Sequence, residues 1–189
     1  LQANKFFTSD PHLDHEKAIE FNSRPFKSVE EMQDHIIGQY NALPKGSILY
    51  ILGDTLVRSN KEAAVALLNK LPKHLNYVFV IGNHDHPIRR YLEKYGRVVD
   101  LLQIRHKKRK IVLCHYPMHE WSSGQHGSIL LHGHTHGRMQ FPGITLDVGW
   151  DVHKRPIGAD EILNLTEDMT IYQPVHDRNN GKTYSELNQ

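Results

Sequence analysis

Along the first half of the chain, apolar runs of strand length alternate with longer stretches whose apolar residues recur at helical spacing, and that alternation predicts an α/β domain. Lys5-Phe6-Phe7-Thr8 reads as a strand running straight into Ser9-Asp10-Pro11-His12. Helices are expected over about residues 15–21 and 29–40, divided by the breaker Arg24-Pro25. Residues 47–52 give a second strand that ends at Gly53-Asp54. Ala64, Leu67, Leu68 and Leu71 share one face of a helix over residues 61–71, which Pro72 stops. A third strand, residues 77–81, ends at Gly82-Asn83-His84-Asp85, and residues 89–95 form a short helix that Gly96 suits as a cap.

In the second half strands take over. Residues 98–104 and 110–114 can pair as a hairpin across His106-Lys107-Lys108-Arg109, and strands over 128–131 and 144–148 follow. The basic cluster suits a solvated hairpin tip better than a polyanion site, because exposed turns and edges are commonly charged. With no internal repeat, low-complexity tract or linker, residues 1–189 are expected to form one domain.

Charge narrows the partners only slightly. The 23 basic and 21 acidic side chains leave a net charge of +2, which gives no electrostatic reason to expect tight binding to a polyanion or a membrane surface, although nucleic acid is not excluded. The single cysteine, Cys114, cannot form an internal disulfide, and no signal-peptide or membrane-spanning run is present. A cytoplasmic protein without a membrane partner is the expectation. The outlying number is 15 histidines, spread from His12 to His176 rather than gathered in a tag. Imidazole is the commonest metal ligand and proton shuttle, so position has to decide what each one does.

Position is informative. Asp10 and His12 follow the first strand, Asp54 the second, Asn83, His84 and Asp85 the third; His115 follows the run ending at Cys114, and His134 and His136 follow residues 129–131. Ligands and catalytic groups in open α/β sheets collect outside the carboxyl ends of strands, so these segments are expected to converge on one edge. The side chains are those a pair of divalent metals needs: carboxylates that can bridge, imidazoles that bind in neutral form, and one amide oxygen. A nitrogen and oxygen set without thiolate favours Mn, Fe, Zn, Co or Ni over a structural zinc site.

The order of the clusters, Asp-x-His, Gly-Asp, Gly-Asn-His-Asp, His, Gly-His-x-His, resembles that of the calcineurin-like metallophosphoesterases. The stretches Phe7-Thr8-Ser9-Asp10-Pro11-His12, Leu52-Gly53-Asp54, Gly82-Asn83-His84-Asp85, Cys114-His115-Tyr116-Pro117 and His132-Gly133-His134-Thr135-His136-Gly137 carry the likeness. It is strongest to small single-domain members from bacteria and phages, with Arg24-Pro25-Phe26 and Leu146-Asp147-Val148-Gly149 included, and spans roughly residues 6–162. The resemblance implies a four-layer sandwich of two facing mixed β-sheets flanked by helices. It implies two metal ions, manganese foremost, one held by Asp10, His12, Asp54 and His136 and the other by Asp54, Asn83, His115 and His134, with Asp54 as the bridge. His84 would be a general acid or phosphate contact, Asp85 would orient its ring, and metal-activated water would attack phosphorus.

Other residues carry two readings each. Arg58, four positions after Asp54, is a phosphate clamp or a surface residue. His15 is a substrate contact or a helix-start residue. Tyr116, His119 and Trp121 could wall a base or aryl group, or simply pack, and Asp147, Trp150 and Asp151 share that ambiguity. Gly53, Gly82 and Gly133 suit tight turns. The expected activity is hydrolysis of phosphodiesters or phosphomonoesters, with a small phosphoester or nucleotide-like substrate. A nuclease on single-stranded nucleic acid, a protein phosphatase and a non-catalytic scaffold are the alternatives, the last predicting missing ligands where none is missing.

Overall fold

The structure, a computed structural model, describes residues 3–57 and 61–171. The elements run β1 (Lys5–Thr8), α1 (Glu16–Phe21), α2 (Val29–Asn41), β2 (Ile48–Leu52), α3 (Lys61–Leu68), β3 (Asn76–Val80), α4 (Arg89–Leu92), β4 (Gly96–Val99), β5 (Leu101–His106), β6 (Arg109–Cys114), β7 (Ile129–His132), β8 (Thr145–Asp147), α5 (Trp150–His153), β9 (Ile157–Gly158) and α6 (Ala159–Leu165). They form two mixed sheets with flanking helices. The first has the order β4-β3-β2-β1-β9, parallel except for β9, and the second β5-β6-β7-β8, parallel except for the β5–β6 hairpin.

The two-residue period of the strands divides the apolar residues between two cores. Leu49, Ile51, Tyr77 and Phe79 point to one face of the first sheet and join Met32, Ile36 and Tyr40 of α2 and Ala64, Leu67 and Leu68 of α3. Phe7, Tyr50, Leu52 and Val80 point to the other and meet Ile111, Leu113, Ile129 and Leu131 of the second sheet. Strands buried on both faces have to be apolar throughout, which is why β2 reads as a continuous run rather than an alternation. The start of α2 is fixed locally: Ser28 accepts from the Glu31 amide at 3.2 Å while the Glu31 carboxylate accepts from the Lys27 amide at 2.8 Å.

Four expectations change. The helix over residues 89–95 is α4 alone, Arg89–Leu92, and Gly96 opens β4 instead of capping the helix. The strand over residues 98–104 is two strands, β4 in the first sheet and β5 in the second, because the chain changes sheets at Asp100. Arg89 holds that bend with a bidentate pair to Asp100 at 2.6 and 3.0 Å. Helix α3 ends at Leu68 rather than Leu71, its last turn tightening through Lys70 N–H to Leu67 O and Leu71 N–H to Leu68 O. Elements α5, β9 and α6 had no counterpart in the sequence pattern, two being four residues or fewer.

The β5–β6 tip is a tight turn with Lys107 at a φ of +50°. It is tied to α6, where the Asp160 carboxylate accepts from His106 at 2.6 Å and Lys107 at 2.9 Å. Those partners, His106 first, hold the exposed Asp160 carboxyl down at about 2. A depressed carboxylate contributes stability above its unfolded pKa, roughly 3.9, and loses it as pH falls through the folded value. Asp160→Asn should therefore lower stability slightly at pH 7 and flatten its decline between about pH 4 and 2, as followed by urea titration across pH.

Candidate metal centre

Parallel pairing puts the carboxyl ends of β1, β2 and β3 on one edge, and those of β6, β7 and β8 on one edge of the other sheet. Backbone hydrogen bonds join the loops that leave them. Asp10 N–H reaches Gly53 O at 3.0 Å, His12 N–H reaches Asp54 O at 3.1 Å, and Gly133 N–H reaches His115 O at 3.0 Å. Ser9 stitches the two sheets, its amide donating to Val148 O at 3.1 Å and its carbonyl accepting from Trp150 N–H at 2.8 Å.

Within these loops Asp10, His12, Asp54, His134 and His136 all have positive φ, between 48° and 68°. Such backbone is costly for residues with a Cβ and marks sites where surrounding contacts hold it. The carboxylates pack directly on the backbone: Asp10 Oδ2 accepts from His134 N–H and Asp54 Oδ1 from His84 N–H, both at 2.9 Å. Gly133 is required by that closeness rather than by a special φ, since a Cβ there would overlap Ser9 Oγ and Asp10 Oδ2. Gly53 meets both demands, with a φ of +91° and the His115 ring against it.

All seven expected ligands are brought together. His12 Nε2 lies 3.8 Å from Asp10 Oδ1 and 3.7 Å from Asp54 Oδ2; His136 Nε2 lies 3.8 Å from Asp10 Oδ1; His115 Nε2 lies 3.6 Å from Asp54 Oδ1. Asn83 Oδ1 sits 2.9 Å from His115 Nε2 and 3.0 Å from His134 Nδ1. Three rings are anchored through their other nitrogen: His115 Nδ1 to Leu52 O at 2.8 Å, His136 Nδ1 to Asp151 at 2.7 Å, and His12 Nδ1 beside His15 Nδ1 at 3.3 Å. Anchoring of this kind fixes the tautomer and aims the free nitrogen.

The donors fit divalent cations. Asp10 Oδ1 and His12 Nε2 are buried without a hydrogen-bond partner, a costly state that a shared cation relieves. Donor atoms of Asp10, His12 and His136, and again of Asp10, Asp54 and His115, lie within 4.8 Å of one another. Residues 6–168 match the sequence profile of the calcineurin-like phosphoesterases. The chain belongs to that family. It is also 30% identical over 182 residues to the uncharacterized protein MJ1445 of Methanocaldococcus jannaschii, covering 91% of this chain and 96% of that one. The Gene 66 protein of Mycobacterium phage D29 is 27% identical over 203 residues, with 88% and 98% covered. Among solved structures, the protein of unknown function AQ665 from Aquifex aeolicus superposes with a TM-score of 0.68 at 25% identity, covering 87% of this chain and 100% of that one.

In this calcineurin-like phosphoesterase a buried brace stands behind the candidate ligands. Arg24 forks onto Asp151, both contacts at 2.8 Å, and its remaining donors reach Asp10 O and Pro11 O, also at 2.8 Å. Asp151 in turn holds His136. Asp147 braces the next turn, accepting from Thr135 Oγ1, Gly137 N–H and Gly149 N–H at 2.7 to 2.9 Å. Neither role was legible from spacing: Arg24 read only as a breaker beside a proline, although the Arg24-Pro25-Phe26 segment already belonged to the resemblance.

One expected role shifts, and two open ones resolve to packing. The Asp85 carboxylate accepts from Thr55 N–H at 2.9 Å and Gly82 N–H at 3.0 Å, so it locks two loops together instead of orienting the His84 ring. Trp121 packs, its indole N–H on Ser128 O at 3.2 Å, and Trp150 is buried with its N–H on Gln39. His84 leaves its side chain 42% exposed, 3.9 Å from Asp54 Oδ2. His15 lines the same hollow as His12, His84 and His136. Arg58 falls outside the described residues.

Protonation follows these contacts. Burial alone would raise the Asp10 carboxyl, but the nearby rings of His12, His115 and His136 outweigh it and hold the group well below the carboxylate range. Burial, then His115, pushes His134 down, toward the neutral form a metal takes. Asp151 stays low despite burial because His136 and Arg24 donate to it. Asp151→Asn should weaken Mn2+ binding roughly 10- to 100-fold in isothermal titration calorimetry by freeing the His136 ring, with the fold retained in circular dichroism.

Proposed function

We propose that this phosphoesterase hydrolyses phosphodiester or phosphomonoester bonds of nucleotide-like substrates with two divalent ions, manganese foremost and iron, zinc, cobalt or nickel as substitutes. The observation that carries the proposal is the pair of buried, unpartnered atoms, Asp10 Oδ1 and His12 Nε2, facing the same space as Asp54. Asp10, His12, Asp54 and His136 would hold one ion; Asp54, Asn83, His115 and His134 the other. Asp54 suits the shared position because its two oxygens face different rings, Oδ2 toward His12 and Oδ1 toward His115. Two such ions lower the pKa of water and offset charge on the attacking and leaving oxygens.

The chain's own contribution is placement. The loop amides of His84 and His134 fix the carboxylates, and the anchored rings keep their free nitrogens inward. The exposed His84 ring is the group free to reach a substrate, donating a proton to the departing oxygen, and His15 stands beside it as a phosphate contact. A nuclease is less well supported. Apart from Arg138, no cationic side chain among the described residues lines the hollow beside these histidines. Arg105, Lys108, Arg109 and Lys110 line a different one, around Ser123 and Gly127.

Mn2+-loaded protein should hydrolyse bis(p-nitrophenyl) phosphate or p-nitrophenyl phosphate, followed by p-nitrophenolate release. Asp54→Ala should lose both bound metal and activity. His84→Ala should keep its metal and turn over about 100-fold or more slowly. Wild-type protein that binds Mn2+ yet hydrolyses neither ester would make the chain a binding scaffold.

A further inference from the structure

Two exposed aromatic rings stand at the metal centre, each beside a different group of its histidines. Phe21, at the end of α1, is the most exposed large apolar side chain among the described residues, at 62%. It lines a hollow of about 800 Å³ together with Ala18, Asn22, His12, His15, His84, His136 and Arg138. Arg138 is pinned to the end of that helix, donating to Phe21 O at 2.8 Å and Asn22 Oδ1 at 2.7 Å, so the wall carrying Phe21 is joined to the loop carrying His134 and His136. Tyr116, 43% exposed, lies against the other group, its ring centroid 4.9 Å from His115 and 4.8 Å from His134.

An exposed aromatic on a surface is unremarkable alone; one beside each histidine group of a candidate metal pair needs a reason. A phosphomonoester has one organic arm, which could use one ring. A phosphodiester has two, and a phosphate held between the histidine groups would send an arm toward each. Aromatic platforms prefer flat π-faced groups and are tolerant of their identity, as in base stacking.

We infer that the site takes phosphodiesters carrying a planar aromatic group, a nucleobase or an aryl ring, on each arm, with Phe21 seating one arm and Tyr116 the other. This rests on the phosphoester hydrolase reading above and narrows it. The deciding comparison uses two diesters with the same leaving group, bis(p-nitrophenyl) phosphate and methyl p-nitrophenyl phosphate, on the Mn2+-loaded full chain.

The wild type should favour the bis-aryl ester in kcat/KM, chiefly through KM. Phe21→Ala and Tyr116→Ala should each reduce that ratio about fivefold, and Phe21→Trp and Tyr116→Phe should keep it. Metal content measured in parallel separates a lost platform from a damaged centre. Binding of bis(p-nitrophenyl) phosphate against dimethyl phosphate, by thermal shift, reads the same preference without turnover. No turnover combined with aryl-selective binding that the two alanine variants abolish would sink the hydrolase reading and keep the aromatic site. Equal kcat/KM for the two diesters, equal binding of the two probes, or a preference unchanged in both alanine variants would overturn the inference.

Discussion

The whole candidate centre depends on loops that hold left-handed backbone at five candidate ligand positions, Asp10, His12, Asp54, His134 and His136. Each such residue costs about 1–3 kcal/mol, so the five together approach the net stability of an ordinary domain. The conformation persists because each loop is tied to another: β1 to β2 through Asp10 and His12 amides, β6 to β7 through Gly133, and one sheet to the other through Ser9. Asp85 and Asp147 add carboxylate braces that satisfy backbone amides inside the turns. Removing the strain would turn the side chains away from one another.

That strain needs a rigid base, which the two-core packing supplies. β1, β2 and β3 are buried on both faces, against helices on one side and the second sheet on the other, so their carboxyl ends cannot move independently. Arg24 extends the rigidity outward. It is buried, lies over the Trp150 ring at 5.1 Å, and converts the α1–α2 connection into a support for both Asp10 and, through Asp151, His136. A buried guanidinium is tolerated there because Asp151 and two backbone carbonyls take up its donors.

What could be read from the sequence follows from how local the physics is. The strands β1, β2, β3 and β6 announce themselves as short apolar runs and the helix α2 by its periodicity, and the clusters of candidate ligands by sitting just past those runs. The change of sheet at Asp100 left no trace, because Val98-Val99 and Leu101-Leu102 look like one strand when only hydrophobicity is considered. Partners far apart in sequence were equally invisible: Arg24 and Asp151 are 127 positions apart, and nothing near either one signals the other. Asp85 was assigned to the His84 ring by the resemblance, whereas the fold sets its carboxylate on two backbone amides that no local pattern signals.

The proposed hydrolysis requires that the loops preorganise two cation positions sharing Asp54. Anomalous X-ray scattering from crystals grown with Mn2+ tests it most directly. Two peaks about 3.5–4 Å apart, with the Asp54 carboxylate between them, are predicted. A single peak, or two peaks with Asp54 touching neither, would contradict it.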